Sequence, residues 1–145
     1  MPKATEVSIP DRYHNILAQG RFGILSTLRH SDGFISSNPV GYVWDGEHIR
    51  ISSLKSRVKY ANLQANPMLS FCLVSQHNVM EYIEIRGHAT LEDDDDRSFF
   101  RQQYRLGAGE DPPEDLDAAG ARRIIITIHP QQISSPTLYG GRFNK

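Results

Sequence analysis

The sequence predicts a mainly β protein with a few short helices, built as an antiparallel barrel. Three observations carry that expectation. Short β-rich segments recur at regular spacing, and two of the intervening turns carry the Asp-Gly signal of tight hairpins, Asp32-Gly33 and Asp45-Gly46. Several segments alternate apolar and polar residues, as in Ile49-Arg50-Ile51-Ser52, so one face is buried and the other wet. Strands joined by tight turns run antiparallel, which favours a barrel over a βαβ sheet.

Taken in order, residues up to about Pro10 read as a loose N-terminal arm. Pro10 and Asp11 start a short helix carrying Ile16 and Leu17, which Gly20 ends. Strands follow over residues 21–28, 34–44 and 47–53. A short helix after Ser56, its expected N-cap, stops before Pro67. Residues 68–75 form a mostly apolar strand that ends at the polar break Gln76-His77-Asn78. Residues 81–91 form a long alternating strand in which the lone Gly87 marks a bulge or bend. Glu92 and Asp93 to Asp96 are expected to open a helix running to about Arg105, since acids in a first turn complement the helix dipole. Residues 107–120 read as a surface loop, 122–129 as the sixth strand and 130–145 as a tail with room for a short extended piece near residues 133–139. The whole of 1–145 is one expected domain.

Composition excludes several classes of function. The chain has 145 residues, is 39% hydrophobic and 23% charged, and carries a formal net charge of −1. Such a balance gives no global attraction to nucleic acid or to an anionic membrane. No stretch approaches a membrane span, and the N-terminus has no apolar core of signal-peptide length. Cys72 is the single cysteine, which rules out an internal disulfide and fits a reducing, cytoplasmic location. Gly-rich phosphate loops and nucleophile elbows are absent. The six histidines lack the short spacings of common metal motifs, so no metal site is expected. No catalytic residue stands out.

Two stretches draw chemical interest. Lys55, Arg57 and Lys59 cluster at an expected helix start, where the dipole disfavours each cation by roughly 0.3–1 kcal/mol. Cations, hydroxyls and free backbone N–H groups in one place suit an anion such as phosphate. A solvated basic turn is the other reading. The second stretch is Ser36-Ser37-Asn38-Pro39-Val40. Pro39 removes a ladder donor there, and Gly41 removes a side chain, so a flat ring has room to approach the main chain. An ordinary edge irregularity explains the same residues. The two stretches belong to neighbouring strands, so a ring on one and a phosphate on the other fit a single ligand.

The order of local motifs resembles a known family. Gly23 to Leu28 (G-x-L-S-T-L), Asp32-Gly33, Ser37 to Val40 (S-N-P-V), Ser52-Ser53, Arg57 to Leu63 (R-x-K-x-x-N-L) and Asn66-Pro67 follow one another as in the flavin and deazaflavin split β-barrel superfamily. That superfamily is typified by pyridoxamine 5′-phosphate oxidase, and the chain is most similar to its branch that uses coenzyme F420. The resemblance implies a six-stranded antiparallel split β-barrel of the FMN-binding type, dimeric, with cofactor held in a groove between subunits. It implies that Arg57 and Lys59 contact the cofactor phosphate with Asn62 in support. Ser36, Ser37, Asn38, Pro39 and Val40 would then lie along the ring, and Ser52 and Ser53 near its side chain or phosphate. Gln76 and Tyr82 would close the pocket, from the same subunit or its partner. Lys55, with Arg50, would serve the anionic tail that F420 carries and FMN lacks.

The tail Leu138 to Lys145 lacks the family's arginine- and histidine-containing segment for a vitamin B6 substrate. The implied function is therefore an F420-dependent reductase that passes hydride to a small conjugated substrate. The alternatives are an FMN-dependent oxidoreductase and a non-catalytic cofactor or tetrapyrrole carrier.

Overall fold

In the computed structural model, which describes residues 5–135, the chain forms one seven-stranded antiparallel sheet curled into a half-barrel. A 3-10 turn at Asp11–Tyr13 runs into helix α1 (His14–Gln19). Then come β1 (Phe22–Leu28), β2 (Ile35–Gly41), β3 (Val43–Trp44), β4 (Ile49–Leu54), α2 (Val58–Ala65), β5 (Met68–Val74), β6 (Tyr82–Asp93), α3 (Ser98–Ala108) and β7 (Arg123–Ser134). The strand order is β2-β1-β5-β6-β7-β4-β3.

The strand count is seven among the described residues rather than the expected six, because the segment over 34–44 is divided at Tyr42. Its first part pairs with β1 and its last two residues pair with β4. Tyr42 turns inward, is 8% exposed and donates its hydroxyl to the Leu17 carbonyl at 2.6 Å. One nearly continuous segment therefore supplies both edges of the sheet, and β2 comes back beside β4 to curl it.

Alternation builds the core. Ile49 and Ile51 of β4, Ile124, Ile126 and Ile128 of β7, and Ile83 and Ile85 of β6 are at most 1% exposed. Full burial of one such side chain contributes about 1.5–3 kcal/mol. The Phe71 ring fills the centre, and a Cβ at Gly23 would meet its Cζ at 2.1 Å, so β1 needs glycine there. Leu17 of α1, 1% exposed, joins the same core.

The β6–β7 ladder shifts register between Arg86 and Gly87, where Gly87 faces Pro130, Arg86 faces Gln132 and the pairing skips Gln131. A Cβ at Gly87 would lie 2.0 Å from the His129 carbonyl oxygen, so the lone glycine does mark a bulge.

Three local expectations fail for physical reasons. Residues 5–9 are not a loose arm: the Val7 amide donates to the Pro130 carbonyl at 2.8 Å, and Ile9 is 5% exposed. The acidic run does not open α3, because Asp93 still belongs to β6 and the helix starts at Ser98. Asp94 is instead buried and reaches forward to accept from the Phe99 and Phe100 amides at 3.2 and 2.9 Å. The strand expected to stop at His129 continues to Ser134, through the start of the expected tail. The motif difference at Leu138 to Lys145 lies outside the described residues.

Candidate functional site

The basic turn between β4 and α2 carries two neighbouring cations, Arg57 and Lys59, at a helix start. Arg57 occupies the N-cap position of α2 in an extended conformation (φ −78°, ψ 146°), with no side-chain cap. Ser56, the expected cap, lies one residue too early. The turn is closed by backbone bonds from Arg57 N–H to the Leu54 carbonyl and from Tyr60 N–H to the Arg57 carbonyl. The N–H groups of Val58 and Lys59 find no backbone acceptor among the described residues.

Arg57 is exposed and Lys59 half-buried, and neither has a carboxylate within 4.0 Å among the described residues. Burial holds the Lys59 ammonium below its ordinary pKa, and the Arg57 charge lowers it further. A desolvated cation beside another cation and free amides gains from any anion that docks there.

The other expected site residues divide into those that reach this turn and those that do not. Lys55 forms an ion pair with Asp93 at 2.9 Å and lies 6.0 Å from the Tyr60 ring centre, so its charge is already answered. Arg50 points to Asp45 at 3.5 Å near the other end of β4. Ser53 is buried in the β4–β7 ladder. The Ser52 amide donates to Gln103 Oε1 at 2.9 Å, and its hydroxyl receives Arg123 at 3.4 Å.

Asn62 does not face a ligand. It is 1% exposed, donates to Thr27 Oγ1 at 3.1 Å, and accepts from the His30 amide at 3.0 Å. Its role is to fasten α2 onto β1.

That fastening also brings β2 close. Thr27 pairs with Ser36, so Ser36 is one ladder step from the residue that holds α2. Alternation then splits the β2 segment between two faces. Ser36, Asn38 and Val40 are more buried, with Val40 in the core, while Ser37 and Pro39 are exposed. Ser37 bonds Ser26 Oγ at 2.7 Å on the outer face, beside a groove of about 430 Å³ lined by Ser26, Ile35, Met68, Ser70 and Arg86.

Gln76 and Tyr82 lie at the far end of β5, where Val74 pairs with Tyr82, whereas α2 sits over Thr27, which pairs with Leu69. At about 3.4 Å per residue the separation along the strand is roughly 17 Å. Within one chain they do not join the basic turn.

A larger cavity of about 730 Å³ lies between α1, the β2–β3 bend and α3, lined among others by Trp44, Ser52, Gln103, Tyr104 and Arg123. Sequence reasoning passed over its α3 wall, since Gln103 and Tyr104 carry no motif and meet β4 only through tertiary packing. The Arg123 guanidinium lies 3.7 Å from the Phe100 ring centre and pairs with Asp117 at 2.7 Å. Cys72 is half-buried, and burial followed by the nearby Glu84 carboxylate raises its thiol above the ordinary value, which disfavours a thiolate nucleophile.

Residues 9–135 match the family model of pyridoxamine 5′-phosphate oxidase. The chain belongs to that family. Among solved structures it is similar to a protein described as an F420 reductase, with 30% identity and a TM-score of 0.74 over 87% of this chain and 98% of the other. A putative pyridoxamine 5′-phosphate oxidase from Listeria innocua shares the fold at 22% identity and a TM-score of 0.66, over 86% of this chain and 95% of the other. So does an FAD-binding protein from Mesorhizobium loti, at 18% identity and a TM-score of 0.61, over 89% and 95%. Comparison with curated proteins gave no match. The split-barrel architecture of the family agrees with the half-barrel described above, and no helix among the described residues is long and apolar enough to cross a membrane.

Proposed function

We propose that this member of the pyridoxamine 5′-phosphate oxidase family is an F420-dependent reductase, acting on a small, conjugated, electron-poor substrate. The observation that carries the reading is the uncompensated pair Arg57 and Lys59 at the start of α2. Their chemistry fits a phosphate: two cations, one half-buried, beside backbone N–H groups with no backbone acceptor among the described residues. Bound there, reduced F420 would supply the hydride.

The chain's own part is binding, orientation and exclusion of water. Arg57 and Lys59 anchor the phosphate, and the Asn62 clasp fixes α2 so that they project at a constant angle. Ser36 and Asn38 lie on the side of β2 nearer α2 and would border the ring. Gln76 and Tyr82 are too far along β5 to close a pocket in the same chain, which supports a homodimer in which a partner contributes them. The choice of F420 over FMN rests on the similarity to the F420 reductase, because the cations invoked for the tail, Lys55 and Arg50, are engaged with Asp93 and Asp45. The FAD-binding neighbour favours a flavin as the second reading.

Fluorescence titration of the purified protein with F420 and with FMN decides between them. Tight binding of F420, with reduced F420 consumed against a panel of acceptors, is the expected result. Retention of FMN with no measurable affinity for F420 would overturn the proposal.

A further inference from the structure

The N-terminal arm meets the barrel at a cluster that the cofactor reading does not use. Glu6, His48 and His129 are distant in sequence, yet one ligating atom of each lies within 4.8 Å of the others. The Glu6 carboxylate spans both rings, with Oε1 at 2.5 Å from His48 Nε2 and Oε2 at 3.2 Å from His129 Nδ1. His48 is presented by an Asp45 turn just before β4, whose carboxylate accepts from the Glu47 and His48 amides at 2.8 and 2.7 Å. His129 is fixed on β7 by stacking against His88, with ring centres 5.0 Å apart, and its Nε2 lies 2.8 Å from Thr90 Oγ1. Glu6 is delivered by its neighbour Val7, bonded to the Pro130 carbonyl.

Two further features suit a cation. A carboxylate offers only lone pairs, so each ring nitrogen facing it must present either a proton or a metal ion. The oxygen beside His129 Nε2 resembles the outer partners that commonly orient a ligating imidazole. The two imidazoles are largely sheltered at 18% and 19% side-chain exposure, while the Glu6 side chain is 41% exposed and leaves a way in.

We propose that Glu6, His48 and His129 bind a first-row divalent transition ion such as Zn2+, clipping the N-terminal arm to β4 and β7. Two imidazoles and one carboxylate favour such an ion over Mg2+ or Ca2+. Ligand bonds of about 2.0–2.2 Å place tetrahedral donors about 3.3 Å apart. The 3.2 and 2.5 Å contacts use the two different oxygens of Glu6, and with one donor atom per residue the set lies within 4.8 Å, so the widest pair draws together by up to about 1.5 Å around the ion. Three protein donors leave a coordination position for water or a small anion. The site lies at the His48 end of β4, opposite the end that leads into the basic turn.

Isothermal titration of metal-free, full-length protein with ZnCl2 near neutral pH tests the site. One Zn2+ per chain with micromolar or tighter affinity, accompanied by a rise in Tm, is expected. His48→Ala and His129→Ala should each abolish that stoichiometric binding, and Glu6→Gln should weaken it strongly. Thr90→Val, which leaves all three donors, should weaken it about tenfold. His77→Ala, on the loop before β6, should change nothing. Co2+ added to the wild type should show the intense visible bands of a low-coordinate site, lost in His129→Ala even where that variant remains folded. Absence of stoichiometric Zn2+ binding, or binding that survives both histidine substitutions, would overturn the assignment. Because F420 titration is read separately, either proposal can fail while the other stands.

Discussion

At the start of α2, Arg57 and Lys59 face no carboxylate among the described residues, while between the start of α3 and the start of β7 Arg97, Arg122 and Arg123 each meet an aspartate. Arg97 and Arg123 converge on Asp117, whose side chain is 6% exposed, and Arg122 bridges Asp93 and Asp95. The residue types are the same and the outcomes opposite. Where cations are answered they form a brace that locks the loop before β7 onto α3. Where they are left unanswered, as at Arg57 and Lys59, the charge is the feature on which the proposed phosphate site rests. Basic composition alone does not distinguish a structural brace from an open cationic turn; the neighbouring acids do.

Substitutions can break or sharpen that contrast. The largest effect is expected for Asp117→Asn, which removes a buried carboxylate shared by two partly buried guanidinium groups and should cost about 3 kcal/mol in urea unfolding, with cofactor affinity retained. The same pair predicts an acid limb of stability. Arg123, then Arg97, holds the Asp117 carboxyl below its ordinary 3.8. Its contribution is therefore complete above 3.8 and is lost as pH falls through the lower folded value. Urea melts of wild type and Asp117→Asn across that range should converge.

Asn62→Ala should cost about 2 kcal/mol of stability, because it strands Thr27 and the His30 amide. If Asn62 touched the phosphate instead, affinity would fall while the melt stayed put. Lys59→Ala should lower cofactor affinity by about 1.5 kcal/mol, roughly tenfold, without destabilising the fold. Burial already depresses the Lys59 pKa, so its charged form costs the free protein some stability, and cofactor affinity should fall as pH rises through that lowered value. Unchanged affinity in a titration would refute the anion site. The smallest effect is expected for Lys55→Ala, at most about 0.5 kcal/mol in either assay, since its partner Asp93 is half exposed. A large loss of F420 affinity there would return Lys55 to the cofactor.

What was legible in the sequence followed the range of the interaction. Gly87 announced the bulge because an isolated glycine in an alternating strand is a local signal. The helices, the Asp-Gly turns and the cationic turn were local too, and all are present. The division at Tyr42 was not, since the acceptor of its hydroxyl is the Leu17 carbonyl in α1, with β1 and β2 in between. Asp94 misled for the same reason: the helix-dipole rule is satisfied at short range, but its carboxylate reaches past Arg97 to cap two amides further on. In the candidate site, Arg57 and Lys59 could be chosen from local charge, whereas the capture of Lys55 by Asp93 depends on how β4 and β6 flank β7.

The bulge at Gly87 also makes β7 a strand read in two frames. Before the skipped Gln131, the inward positions are even: Ile124, Ile126, Ile128 and Pro130. After it, the inward residue is odd, and Ile133 packs against the core. Excising Gln131 would make Gly87–Pro130 and Arg86–Gln132 consecutive pairs and merge the two frames into one, with Ile133 still opposite the buried Ile85 and Gln132 still facing outward. Deletion at the bulge would thus be expected to flatten the strand without exposing an apolar side chain, whereas deletion of one residue from the regular stretch before it would turn part of β7 to the wrong face.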